Sequence, residues 1–104
     1  MRIDLLYFDG CPSWKNALDN LRVAFKEENI EAEINLVLVG NDEEAMKEKF
    51  LGSPSIRVNG IDMWPMSRQS YFLSCRMYRT AEGMKGFPTV TMLREKIHEL
   101  QLGK

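Results

Sequence analysis

The chain has little of what most recognisable chemical sites are built from. Among 104 residues there are two cysteines, one histidine and four prolines, and acidic and basic side chains nearly cancel at a net charge of −1. Two cysteines are too few for a disulfide framework. His98 stands alone, with no second histidine and no cysteine near it in sequence, so it reads as a solvated residue on the outer side of the last helix. No metal site is expected, and the seven methionines are scattered as core filler. No long run of one charge sign gives nucleic acid an electrostatic footing. No apolar segment comes near the ~18 residues that a membrane helix needs. The opening Met1-Arg2-Ile3-Asp4 has none of the apolar stretch of a signal peptide. The expectation is a cytoplasmic protein with no nucleic-acid or membrane partner. In that compartment free, catalytic or redox-sensing thiols are favoured over structural disulfides. A Ser/His/Asp set, a phosphate loop and paired catalytic carboxylates are also missing.

What is present is ordinary globular material. With 44% hydrophobic and 28% charged residues, the chain supports one modest core in a single domain spanning 1–104. Residues 2–8 read as a buried strand. From Pro12 to about Asn29, Trp14, Ala17, Leu18, Leu21, Ala24 and Phe25 recur at helical spacing opposite Lys15, Asp19, Arg22 and Lys26. Residues 32–38 alternate as a half-buried strand. Asn41-Asp42-Glu43-Glu44 has the composition of a helix start. Ser55–Val58 and Ile61–Met63 flank Asn59-Gly60, a strong hairpin signal. After Pro88, Thr89 can cap a last helix carrying Val90, Leu93, Ile97 and Leu100 on its apolar face. The order is β-α-β-α-β-β-α, with residues 64–88 left over as a polar insert of no clear periodicity. The Glu27-Glu28 and Glu43-Glu44 pairs read as solvated helix surface.

One position combines local geometry with reactive chemistry. Cys11, in Asp9-Gly10-Cys11-Pro12-Ser13-Trp14, stands where the first strand hands over to the first helix. Unpaired backbone N–H groups and the positive end of the helix dipole favour a thiolate there. The alternative is a buried cysteine acting as a small apolar residue. Gly52-Ser53-Pro54-Ser55 precedes the third strand.

This element order, a cysteine after strand one and a proline opening the strand before an Asn-Gly hairpin resemble the thioredoxin/glutaredoxin-like superfamily. The resemblance implies an α/β fold: a four-stranded mixed sheet with flanking helices and the insert ahead of the last helix. It also implies that Cys11 is the attacking thiol and that Pro54 follows a cis peptide bond beside it. Pro12, Trp14, Ser53 and Pro54 would line the substrate site, with the hydrogen-bonding edge of Ser53 docking an extended thiol substrate. Trp14 occupies the place of the second cysteine of a Cys-x-x-Cys pair, so the site resembles a monothiol one. Cys75, in the insert, is the remaining candidate for a resolving thiol, with Arg76 and Arg79 placed to lower its pKa. Trp14, Trp64, Tyr71, Phe72 and Tyr78 either cluster over the site or pack the insert onto the domain.

The function expected is thiol–disulfide redox chemistry on protein or small-molecule thiols and disulfides. It needs no bound cofactor, with Cys75 or external glutathione resolving the adduct. Two alternatives stand beside it. One is a non-catalytic binding or adaptor domain that uses the insert as its contact surface. The other is capture of a soft metal or organomercurial by Cys11 and Cys75, with Asp9 as the acid.

Overall fold

The computed structural model describes residues 2–100. Its elements, in chain order, are β1 (Ile3–Tyr7), α1 (Ser13–Glu27), β2 (Ile34–Leu38), α2 (Asp42–Glu48), β3 (Ser55–Val58), β4 (Ile61–Asp62), β5 (Tyr78–Thr80), β6 (Gly83–Lys85) and α3 (Val90–Glu99). Four strands form one mixed sheet in the order β2-β1-β3-β4. Strand β1 is central, parallel to β2 and antiparallel to β3, and β4 turns back antiparallel on β3.

Strand alternation sends successive β1 side chains to opposite faces. Ile3 and Leu5 enter one core with Ile56 and Val58 of β3, the α1 residues Ala17, Leu18, Leu21, Ala24 and Phe25, and Leu93 and Ile97 of α3. Leu6 enters a smaller core on the other face with Val39, Ala45 and Phe50, which covers the sheet with α2. The apolar periodicity of α1 is therefore what seats it on the sheet. Each fully buried Leu, Ile or Phe contributes about 1.5–3 kcal/mol relative to exposure. These two layers hold the end of β1 rigid where the chain turns into α1.

The helix ends follow local chemistry. Asn41 Oδ1 accepts from the Glu44 backbone N–H at 2.8 Å and Thr89 Oγ1 from that of Met92 at 3.1 Å, both cap bonds. The Asn59-Gly60 turn takes positive φ at both residues, as a tight hairpin requires.

The segment after Met63 differs from its sequence reading. It contains a second sheet, the hairpin β5–β6, paired Tyr78↔Lys85 through Thr80↔Gly83. Two strands of three residues are too short to show a period of two against the polar background, so the expected order lacked them. Upstream of this hairpin, residues 74–76 run beside Ser53 as an isolated parallel bridge between Ser53 and Cys75. Gly52 makes that approach feasible. Its φ is +113°, and a Cβ there would come within 2.9 Å of Arg76 Cβ.

Among the described residues, no helix is long and apolar enough to cross a membrane.

Candidate thiol site

Cys11 lies just beyond β1, in a turn closed by its own N–H donating to the Phe8 carbonyl at 3.2 Å. Pro12 then serves as the N-cap position of α1, with no side-chain cap bond. The fixed φ of proline suits this entry to a helix. The Cys11 residue is only 2% exposed. Its thiol donates to the Ser53 carbonyl at 3.5 Å across the join between β1 and β3. The Ser53–Pro54 peptide bond is cis, and both residues are buried beside the sulfur.

Trp14 stands in the first turn of α1, where it stacks on Tyr7 with ring centroids 4.2 Å apart. Lys15 Nζ lies 5.7 Å from the same ring. Trp14 thus props the strand-to-helix turn from the side of the larger core. The aromatic residues do not gather into one lid. Trp64 meets Tyr78 edge to face at 5.4 Å, while the Phe72 ring lies under the Arg68 guanidinium and is exposed. The packing alternative therefore describes the Trp64–Tyr78 pair, and Trp14 belongs to a separate stack.

The insert brings the second thiol to the first. Ser53 N–H donates to the Ser74 carbonyl at 2.7 Å, and Arg76 N–H donates to the Ser53 carbonyl at 2.9 Å. The edge of Ser53 that the resemblance would offer to an extended substrate is filled by the protein's own residues 74–76. Between them, Cys75 is exposed and bridges to Ser53, the residue whose carbonyl takes the Cys11 thiol. Both cysteines thus converge on Ser53.

This arrangement sets the protonation of Cys75. The neighbouring Cys11 side chain, loss of solvent, and charge repulsion from Cys11 together push its pKa up to about 11. The shift runs opposite to the lowering expected from Arg76 and Arg79. Arg76 points away from the sulfurs and is committed elsewhere, while Arg79 is exposed on β5. The Arg76 guanidinium donates to Asp62 Oδ2 at 2.9 Å, to Ser55 Oγ at 3.2 Å and to the Trp64 carbonyl at 2.5 Å. It also lies 5.0 Å from the Tyr78 ring, whose hydroxyl donates to the Pro54 carbonyl at 2.5 Å. Burial holds the Tyr78 hydroxyl well above the usual phenol range. Leu73 N–H adds a bond to Asp42 Oδ1 at 2.9 Å. The strand carrying Cys75 is thus pinned on both sides of the thiol. Sequence reading missed Asp62, Ser55 and Tyr78 as its anchors, and nothing in the local pattern around them marks that role.

A measurable consequence concerns Cys75 itself. Although exposed, it should react with iodoacetamide near pH 8 about 100-fold more slowly than a thiol titrating near 9, because only the thiolate attacks. Its rate should still climb through pH 10 and level off only above 11. Cys11→Ser should speed the reaction and move its rise to lower pH, since burial is the one cause of the shift that does not come from Cys11. An unchanged pH profile in that variant would show that Cys11 is not what raises the Cys75 pKa. A raised pKa means that the folded state prefers the neutral thiol, so the sign of the linkage is clear. The stabilising contribution is fully present below about pH 9 and is lost as pH rises through 11.

The other sequence candidates fall outside this site. His98 is exposed at the end of α3 and bonds Glu28, which also accepts from Arg94 Nε at 2.7 Å. The Glu28 carboxyl is accordingly held below the usual carboxylate range by these two partners, and Glu28 is a clamp between α1 and α3 rather than free surface. Asp9 is exposed. Among the described residues, no group of three or more His, Cys, Asp and Glu could hold a metal ion.

Comparison of the chain with protein-family models, with curated proteins and with solved structures gives no match in any of the three.

Proposed function

We propose that the protein is a thiol–disulfide redox protein with a thioredoxin-like fold, working through Cys11 as nucleophile and Cys75 as resolving thiol. The observation that supports this most directly is that Ser53 meets both cysteines, 64 positions apart: its carbonyl takes the Cys11 thiol at 3.5 Å and its backbone bridges to Cys75. The mixed β2-β1-β3-β4 sheet with three helices is consistent with the fold half of the proposal.

The chemistry proceeds in two displacements. The Cys11 thiolate attacks one sulfur of a disulfide, the S–S bond breaks, and the departing thiolate takes up a proton. Cys75 then loses its proton and attacks the Cys11 sulfur. The second thiol of the substrate leaves, and a Cys11–Cys75 disulfide remains. The substrate gains two electrons and two protons, and the protein loses them. An external thiol, such as glutathione, reverses the process. Cys75 is well suited to the second step only. Held neutral, it is a poor first nucleophile, yet it is placed on the same residue, Ser53, as the thiol it must attack.

Mild oxidation of the reduced protein should therefore give one intramolecular bridge, read as a mass loss of about 2 Da and a single cross-linked peptide joining Cys11 and Cys75. Disulfide-linked dimers through Cys11 with Cys75 still free would contradict the resolving role. No oxidation product at all would favour an adaptor domain in which the thiols are packing.

A further inference from the structure

We infer that the natural oxidant of this thiol pair is a compact hydroperoxide rather than a peptide-borne disulfide. The inference rests on the redox reading above and deepens it. Three features of the site carry it.

The first is the commitment of Ser53. Its N–H is taken by the Ser74 carbonyl, and its carbonyl receives both the Arg76 N–H and the Cys11 thiol. A carbonyl has two lone pairs, so no acceptor is left there, and no donor either. A peptide, or a peptide-like thiol such as glutathione, cannot add as a strand at this edge without first displacing residues 74–76.

The second is that those residues are not loosely held. Displacing them strains the anchors around Arg76, whose ion pair with Asp62 is 4% and 8% exposed on its two sides. The Tyr78 bond to the Pro54 carbonyl is likewise buried. Breaking a buried ion pair is far costlier than the modest return from one docked strand residue.

The third is access. Cys11 is 2% exposed, whereas Cys75 is exposed. A disulfide must bring a substituted sulfur in line with the Cys11 sulfur, whereas a hydroperoxide presents a terminal oxygen little larger than water. The resolving thiol is held on the same residue, Ser53, as Cys11, so the product of peroxide attack forms beside it.

The reaction balances without any further reactant. The Cys11 thiolate attacks one peroxide oxygen, the O–O bond breaks, and the hydroxide released takes a proton to become water. Cys11 is left as a sulfenic acid. Cys75 then attacks that sulfur, the S–O bond breaks, and a second water leaves with the Cys75 proton. Two thiols have lost two electrons and two protons, and hydrogen peroxide has become two waters. External thiol restores the pair.

The test uses the reduced full chain with three oxidants: hydrogen peroxide, glutathione disulfide, and insulin as a polypeptide disulfide. Each rate of Cys11–Cys75 bridge formation is divided by the rate of free cysteine with the same oxidant. The ratio for hydrogen peroxide should exceed both others by at least about tenfold, since burial and the filled edge penalise only the larger reagents. In Cys75→Ser, peroxide should leave Cys11 as a sulfenic acid trapped by dimedone, because nothing remains to resolve it. An equal or larger ratio for either disulfide overturns the hydroperoxide assignment while leaving the redox reading intact. So does the absence of a dimedone adduct on Cys11. Failure of all three oxidants to form the bridge sinks the redox reading itself, and this inference with it.

Discussion

Replacing Arg76 with alanine should cost about 3–5 kcal/mol of folding stability, the range for breaking a buried ion pair from one side. Asp62 would be left as an uncompensated carboxylate with 8% side-chain exposure. Ser55 Oγ and the Trp64 carbonyl would lose a donor at the same time. A lost hydrogen bond to an exposed group would be replaced by water, but Ser55 is fully buried and the Trp64 carbonyl bond is partly so. The loss should appear as a shift of the urea midpoint. Because the same side chain pins residue 76, whose backbone N–H holds the Cys75 segment on Ser53, bridge formation should slow in parallel. The double variant Arg76→Met with Asp62→Leu should recover much of the stability, since replacing both members of a buried pair by apolar side chains is often near neutral. A loss below about 1 kcal/mol in Arg76→Ala would show that the pair is screened as a surface bridge is, and that the insert is held by other contacts.

The second large effect separates the two cysteines. Cys11→Ser should abolish oxidant turnover altogether, whereas Cys75→Ser should preserve the first step and lose only the second. The asymmetry comes from their environments. Cys11 stands between the end of β1 and the start of α1, with its thiol on the Ser53 carbonyl. Cys75 keeps its proton up to about pH 11, so alone it offers almost no thiolate near neutrality. Once Cys11 is replaced, that restraint is relieved, and Cys75 gains reactivity toward an alkylating agent even as redox turnover disappears. A variant that lost both would indicate unfolding, which unchanged far-UV circular dichroism and urea midpoint would exclude. Turnover in Cys11→Ser at even a tenth or so of the parent rate would reverse the roles assigned to the two sulfurs.

The local parts of this protein are legible without any structure. The apolar spacing from Trp14 to Phe25 makes α1, the Asn41 and Thr89 side chains cap α2 and α3, and Asn59-Gly60 turns β3 into β4. Each depends on groups within a few residues of one another, where backbone sterics and capping act directly. The placement of Cys11 ahead of a helix, and of Pro54 ahead of β3, was legible for the same reason.

What happens between distant segments followed other rules. Cys75 reads as a thiol beside two arginines, and that neighbourhood suggests a lowered pKa. In the folded chain Arg76 turns to Asp62, fourteen positions back, and the thiol faces Cys11 instead, so the shift reverses. The Ser53 edge reads as open, and only the course of residues 74–76, admitted by Gly52, closes it. The hairpin β5–β6 escaped notice because three-residue strands are stabilised by what they pack on rather than by their own pattern. Proximity in sequence decides backbone conformation. Which charge is paired, which thiol keeps its proton and which edge stays free are settled by burial and by partners that only the packed layers bring together.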